Sequence, residues 1–417
     1  MKTALAPSSG TSKSFLGANE FFSSFSDKKS WEPEWLSSHR KTNWNLYQSL
    51  SGTKSKDDRW RFSPRSRFSY SKVSRLSSSS SHLSFKAVDE SGVLVSSIEE
   101  VTRDQPDYLM NFQELKGPEL GAQESFLLAC AFAENGFHIR VGRNVRHTEP
   151  IVIDHTSPRS DEVAFHRNLI VMEPNSELIL IERISSGNHD ESGFLTNLTN
   201  VKVGNGAKLH RILIQNLDLN STFHNLENFE IQRNSCLRNV SIQLGSAQAR
   251  IETKGNLLET GANFENYALT LGKKDQLIDT RTMQHHLASN GRSDLVCKNA
   301  LLDDSKIVFS GLIKVDERAS FSDALQTNRN LLMSSDCEAD SLPGLEILAN
   351  EVKCSHGATS SRVDDKELFY FLSRGIHKSE SEKLIALGFL DEIIQKINLA
   401  DQIEIVRGLI SGSFPKN

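Results

Sequence analysis

The sequence predicts a mainly β protein built as a solenoid of stacked turns, with helices at both ends. Three observations predict it. From about Phe137 onward, short β-rich runs follow one another: Leu169–Met172, Leu178–Ile181, Leu209–Ile214, Asn228–Ile231, Val240–Leu244, Tyr267–Leu271 and Ile307–Val315. Between them recurs a motif of a turn residue, a small residue, any residue and an apolar one. It reads Asn175-Ser176-Glu177-Leu178, Gly206-Ala207-Lys208-Leu209, Gly261-Ala262-Asn263-Phe264, Asp304-Ser305-Lys306-Ile307 and Arg318-Ala319-Ser320-Phe321. No helical pattern intervenes, which speaks against βαβ winding. Such self-similarity marks stacked units whose aliphatic residues pile into one continuous core. A β-sandwich is the competing fold, but Gly204-Asn205-Gly206 is nearly its only hairpin signal.

The elements are justified in chain order. Residues 1–13 read as a disordered tail and 14–136 as a helical and mixed region. Within that region Trp31, Trp35, Leu36 and His39 recur at helical spacing, and Pro33 sits where a first turn tolerates proline. Residues 71–84, SKVSRLSSSSSHLS, are low in complexity and predict a flexible linker. Residues 137–360 form the solenoid, and 361–417 a helical tail. In the tail Asp364 with Glu367, and Ser379 with Glu382, have the spacing of capping boxes, and Arg374-Gly375 ends the first helix. A broad apolar stripe from Leu384 to Ile397 either packs on the solenoid or binds a partner.

Composition narrows the function. The chain has 417 residues and a net charge of −5, against the balance of a general nucleic-acid binder. The charge is uneven: residues 1–86 hold 15 Lys/Arg and 6 Asp/Glu, a net +9, so the remainder carries −14. No apolar run reaches the ~18 residues of a membrane span. The five cysteines, Cys130, Cys236, Cys297, Cys337 and Cys354, form no C-x-x-C pair, which suits a reducing cytoplasm better than a disulfide framework.

The densest chemical signal is Glu346 to Thr359, EILANEVKCSHGAT. Strand side chains alternate faces, so Cys354 and His356 point the same way. A thiolate and an imidazole on one face are ligands for zinc, copper or iron–sulfur chemistry. Two ligands do not close a tetrahedral site, so the rest must come from elsewhere in the chain or from a partner. Pairing of acids as in β-helix polysaccharide enzymes is a weaker reading. Asp303-Asp304 falls at a turn and Asp364-Asp365 at a helix cap, where carboxylates need no catalytic role.

Three segments together resemble a known family. They are Asp323–Ser334 (DALQTNRNLLMS), the Glu-Val-Lys-Cys-Ser-His-Gly-Ala-Thr run and Leu368–Ile376 (LFYFLSRGI). With Phe165–Leu180, His286-Leu287-Ala288, Lys298–Leu301, Phe309-Ser310-Gly311 and the Trp31–Trp44 opening, the chain resembles the SufB/SufD family of iron–sulfur cluster assembly scaffolds. The Cys-Ser-His-Gly form is similar to its SufD branch. The resemblance spans roughly residues 14–397 and implies a right-handed parallel β-helix with helical N- and C-terminal parts. It implies a non-catalytic subunit that pairs with a SufB-like paralogue through the end of the β-helix. A SufC-like ABC ATPase would be bound mainly by the C-terminal helices, with Phe389, Leu390 and Ile393 expected to dock it. It also implies that a nascent iron–sulfur cluster is assembled at the paralogue interface, with Cys354 and His356 as this chain's metal ligands and no cluster held stably by the chain alone. No membrane or nucleic-acid partner is expected. Ser289-Asn290 and Cys297 depart from the family pattern, and His286 reads as structural. A metal-free interaction solenoid is the alternative.

Overall fold

A computed structural model describes residues 16, 18–50, 57–77, 83–86, 88–90, 92–109, 116–187 and 191–414. The expected tail 1–13 lies outside the described residues. From residue 137 the strands alternate between two sheets and pair in parallel within each, giving a β-solenoid of about eight turns. One sheet runs from Phe137–Val141 to Glu338–Ile347, the other from Arg146–Thr156 to Lys353–Arg362. Neighbouring turns stack in register; for example, Leu209 pairs with Leu237 and Leu237 with Phe264. Equivalent residues on successive turns lie 26 to 32 residues apart, as in Thr222 with Gln248 and Lys306 with Glu338.

The recurrent motif is the corner that makes this possible. Asn144, Asn175, Gly206, Asn234, Gly261 and Asn290 all take left-handed backbone, with φ between 52° and 74°. Asn and Gly bear that conformation at least cost. Backbone hydrogen bonds run from one corner to the next, Asn175 to Asn205, Gly206 to Arg233 and Asn234 to Thr260. The small residue after each corner is buried: Ser176, Ala207 and Ala262 are fully enclosed. At Gly261 an added Cβ would lie 2.2 Å from Asn234 Oδ1, so the corner has no room for a side chain.

The last copy is corrected by the structure. Arg318 does not start it; Phe321 holds the left-handed position, at φ 61°, followed by buried Ser322 and core-facing Ala324. Its N–H donates to Glu351 O as its predecessors do to theirs. The apolar character of Phe321 concealed its role as the turn residue.

The core mixes aliphatic layers with buried ion pairs. Arg211, wholly enclosed, donates to Glu182 (2.5 Å), Glu227 (2.6 Å) and Asn239 (2.9 Å). Arg250 pairs with Glu252 (2.9 Å) and with Asp279, and donates to Arg59 O and Leu120 O, fastening the N-terminal region to the outside of the first sheet.

That region contains α1 (Asn19–Asp27), α2 (Glu34–Leu50), α3 (Ile98–Asp104) and α4 (Gln123–Phe132). Arg40 on α2 pairs with Glu32 and donates to Ala131 O and Ala133 O, satisfying carbonyls at the end of α4. The expected linker 71–84 is partly structured. Arg75–Leu76 pairs with Glu162–Val163, and Leu83–Phe85 pairs antiparallel with Ile153–His155. The Ser-rich composition hid Leu76, Leu83 and Phe85, which supply the apolar contacts; 78–82 lie outside the described residues.

The tail forms α5 (Asp365–Ser373), α6 (Lys378–Ile394) and α7 (Ala400–Ser411). Asp364 caps α5 through Lys366 N (2.9 Å), and Gly375 follows at φ 79°. α6 is capped by His377 rather than Ser379. Its stripe packs on the second sheet together with α7. Leu390, Ile393, Ile394 and Val406 are fully buried among Ile242, Leu269 and Ala300.

Candidate functional site

The last turn of the solenoid places the C-x-H pair. Along Asp323–Leu332 buried Ala324, Gln326, Asn328 and Asn330 alternate with exposed Leu325 and Arg329, so the even-numbered residues face the lumen. The next strand, Lys353–Arg362, pairs Cys354 with Ala324 and His356 with Gln326. Cys354 and His356 therefore both face the lumen on the last strand of their sheet. Cys354 is half-buried and packs with Ile313, Val315 and Ala324. Burial pushes its thiol above the ordinary value, the Ala324 backbone hydrogen bond opposing and Asp323 adding to the rise. His356 is exposed.

No further turn covers this end. Core-facing Leu345 and Ile347, which continue the columns of Ile313 and Val315, are 38% and 39% exposed. Glu338–Ile347 and Lys353–Arg362 are the terminal strands of their sheets, each paired on one side only. Pro343 lies on the first of them, as suits an edge strand. Leu348 (53% exposed) and Phe321 (62%) extend the apolar rim at the adjoining corner.

Among the described residues, no three His, Cys, Asp or Glu side chains are gathered to hold a metal ion. The donor set at the mouth has two members and opens outward. The composition of the mouth around them was not singled out from the sequence: Gln284, Gly311 and Gln326 enter the site only through register.

The remaining expected site residues are not surface residues. Leu390 and Ile393 lie wholly in the core. Phe389 is partly buried against it, with Lys298 Nζ 4.9 Å over its ring and donating to its carbonyl at 2.9 Å. The helical stripe was read correctly as apolar, but the solenoid sheet covers it. The most exposed apolar residues of the tail are on α5, Phe369 (70%) and Tyr370 (53%), ahead of Leu372 and of Leu384 and Ile405 on α6 and α7. His286 is buried and bonds Ser293 Oγ at 2.7 Å, a structural role. Asp303 accepts from Lys274 N at a corner, and Asp364 caps α5.

A family model described as SUF system FeS cluster assembly, SufBD core domain, matches residues 155–389. This chain belongs to the SufB/SufD family. The match begins in the second strand of the solenoid and ends within α6, so it includes the whole mouth. The chain is 31% identical over 287 residues to the iron–sulfur cluster assembly protein SufD of Escherichia coli (strain K12), covering 67% of each. It is 24% identical over 318 residues to SufD of Bacillus subtilis (strain 168), covering 76% of this chain and 73% of the relative. A SufBD family protein of Pyrococcus horikoshii is 24% identical over 326 residues, covering 78% and 72%. No helix among the described residues is long and apolar enough to cross a membrane.

Proposed function

We propose that this SufB/SufD-family chain is a non-catalytic, SufD-like scaffold subunit of an iron–sulfur cluster assembly complex. The observation that carries the reading is the pair Cys354 and His356, side by side on the lumen face of the last strand, at a solenoid end with exposed core and two terminal edges. Exposed edges accept further strands, because their N–H and C=O groups still seek partners. A SufB-like paralogue adding its own strands there would cover Leu345 and Ile347 and bring the missing ligands to the half-complete donor set. Iron and sulfide are cargo at this interface. The thiol and imidazole suit iron, and the imidazole also exchanges a proton as sulfur arrives.

ATP hydrolysis belongs to a SufC-like partner, since the chain contains no G-x-x-x-x-G-K-[ST] loop. The exposed apolar face of α5, with Phe369 and Tyr370, is the better docking surface for it than the buried stripe of α6. Five free cysteines fit assembly in a reducing cytoplasm.

The test is co-expression with both partners, followed by iron and acid-labile sulfide analysis of the intact heteromer. His356→Ala is expected to lower assembled cluster at least tenfold with the heteromer intact by size-exclusion chromatography. Cys354→Ser is expected to have a smaller effect, because the thiol also packs in the core. Parent-level cluster in both variants would refute the reading.

A further inference from the structure

The two turns beneath His356 hold three buried polar atoms with no hydrogen-bond partner: Gln326 Oε1 on the first turn down, and Gln284 Oε1 and Thr282 Oγ1 on the next. Gln326 and Gln284 are each only 1% exposed. A buried polar group left unpaired costs about 1–3 kcal/mol, so such groups on adjoining turns call for a cause.

Their orientations are fixed. Gln326 Nε2 donates to Gly311 O (3.3 Å), and Gln284 Nε2 donates to Leu325 O (3.2 Å). Each amide nitrogen is thus assigned by its acceptor, which leaves each oxygen as the idle atom. Gly311 makes the arrangement possible. A Cβ there would lie 2.4 Å from Gln326 Oε1, so the amide occupies the space a side chain would fill. Thr282 pairs with Gly311 on the adjacent strand, and Gln284 pairs with Ile313. The three groups therefore converge on one side of the lumen.

His356 stands one rung above Gln326 in the same lumen-facing column, roughly 4.8 Å away along the sheet. An acceptor without a donor thus belongs to the residue that neighbours His356 on the same lumen-facing column. Metal-binding histidines commonly donate their second ring N–H to such an oxygen, which selects the tautomer and aims the other nitrogen at the metal.

We propose that Gln326 is the positioning residue of His356: its amide oxygen accepts one ring N–H and leaves the other ring nitrogen free to face a metal cation at the mouth. The inference rests on the reading of Cys354 and His356 as a metal-handling pair. A side-chain rotation of His356 makes the bond. Gly311 holds the amide in place through its carbonyl and its missing side chain.

The experiment uses the full chain with ring-labelled histidine, read by long-range proton–nitrogen correlation at pH 8. The His356 signal is identified by its loss in His356→Ala. The wild type is expected to hold one tautomer in excess. Gln326→Leu should return it to the ratio of free imidazole, and Gln326→Glu, which keeps an acceptor oxygen, should restore the excess. Gln326→Leu removes an unpaired polar atom, so folding is expected to persist, checked by circular dichroism. An identical tautomer ratio in wild type and Gln326→Leu overturns the proposal, an ordered water then being what satisfies the amide. A Co2+ titration separates the two levels of argument. Gln326→Leu should weaken binding about tenfold or more, and His356→Ala should abolish it. Loss in His356→Ala alone refutes the role of Gln326 and leaves the metal-handling pair standing. Unchanged binding in His356→Ala refutes the pair itself, and the tautomer ratio, which needs no metal, still decides the role of Gln326.

Discussion

Where the chain enters the solenoid, both sheet edges are covered. Val93–Ser97 pairs antiparallel with Phe137–Val141, and Leu83–Phe85 pairs with Arg146–Thr156. Where the chain leaves it, Glu338–Ile347 and Lys353–Arg362 end their sheets, and lumen-facing Leu345 and Ile347 meet solvent. Both halves bury polar groups in the interior. Towards the entry, Arg211 is matched by two carboxylates and an asparagine. Near the exit, Gln326 Oε1 and, a turn below, Gln284 Oε1 have no partner, as Glu182 Oε2 and Arg211 Nη2 have none nearer the entry. Repeat proteins need a cap at each end to hide the last core layer. This one supplies a cap of its own at the entry and has none among the described residues at the exit, where the proposed function seats another chain.

The largest test of that contrast is Arg211→Met. Removing the cation strands Glu182 and Glu227 in the core, at an expected cost of about 3–5 kcal/mol. Urea denaturation measures it. A cost below ~1 kcal/mol would mean that the closed end does not depend on its buried charges. Next comes Leu390→Asp, which drives a carboxylate between α6 and the second sheet, at several kcal/mol. The expected outcome is early proteolysis of residues 378–411 with the solenoid retained. If the variant is as stable as the parent and loses only partner binding, the stripe is an interface after all.

Acid should act on the closed half. Burial, aided by the charge of Arg250, lowers the pKa of His224 to about 3. The unfolded chain therefore takes up protons first, and the stability His224 contributes is full above pH 6.5 and falls from there towards pH 3. Burial alone would raise Glu182, but Arg211 outweighs it and holds the carboxyl at about 2. Its contribution is full above pH 4.5 and falls towards pH 2. Both signs predict loss on the acid side, with His224 alone giving up about 2 kcal/mol between pH 6.5 and 5. Urea midpoints at pH 7.5 and 5.0 check this; equal midpoints would refute it.

The smallest effect is expected at the open end. Phe321 is the one residue of its corner column, from Asn144 to Phe321, that is neither Asn nor Gly, and it is largely exposed. Phe321→Asn should stabilise the isolated chain by about 1 kcal/mol, because Asn bears left-handed backbone more readily. A loss of stability would show that the ring is already packed. A gain in stability with weaker pairing to the paralogue would show strain retained for contact.

Much of the architecture was legible in the residues. Seven of the strand runs and three of the corner motifs fall where the turn chemistry of Asn and Gly put them, since a left-handed corner followed by a small residue admits few alternatives. Cys354 and His356 were legible as a same-face pair from strand alternation alone. The N-terminal segment 71–84 was misread because its few apolar residues are spaced among serines and gain their meaning only against sheet edges far along the chain. Phe321 was misread because an apolar residue at a turn violates the local rule that identified its predecessors.

What the sequence by itself determined is local: the period of the turns, the corners that set it, and the chemical type of the donors on the final strand. These follow from backbone sterics and alternation, which need no distant neighbour. The tertiary structure alone decided which apolar stripe is covered, which edge stays open and which amide lies beneath His356. Those are outcomes of register and burial between residues tens of positions apart. Leu390 and Phe369 read alike as helix-face hydrophobics until the sheet covers one and leaves the other in water.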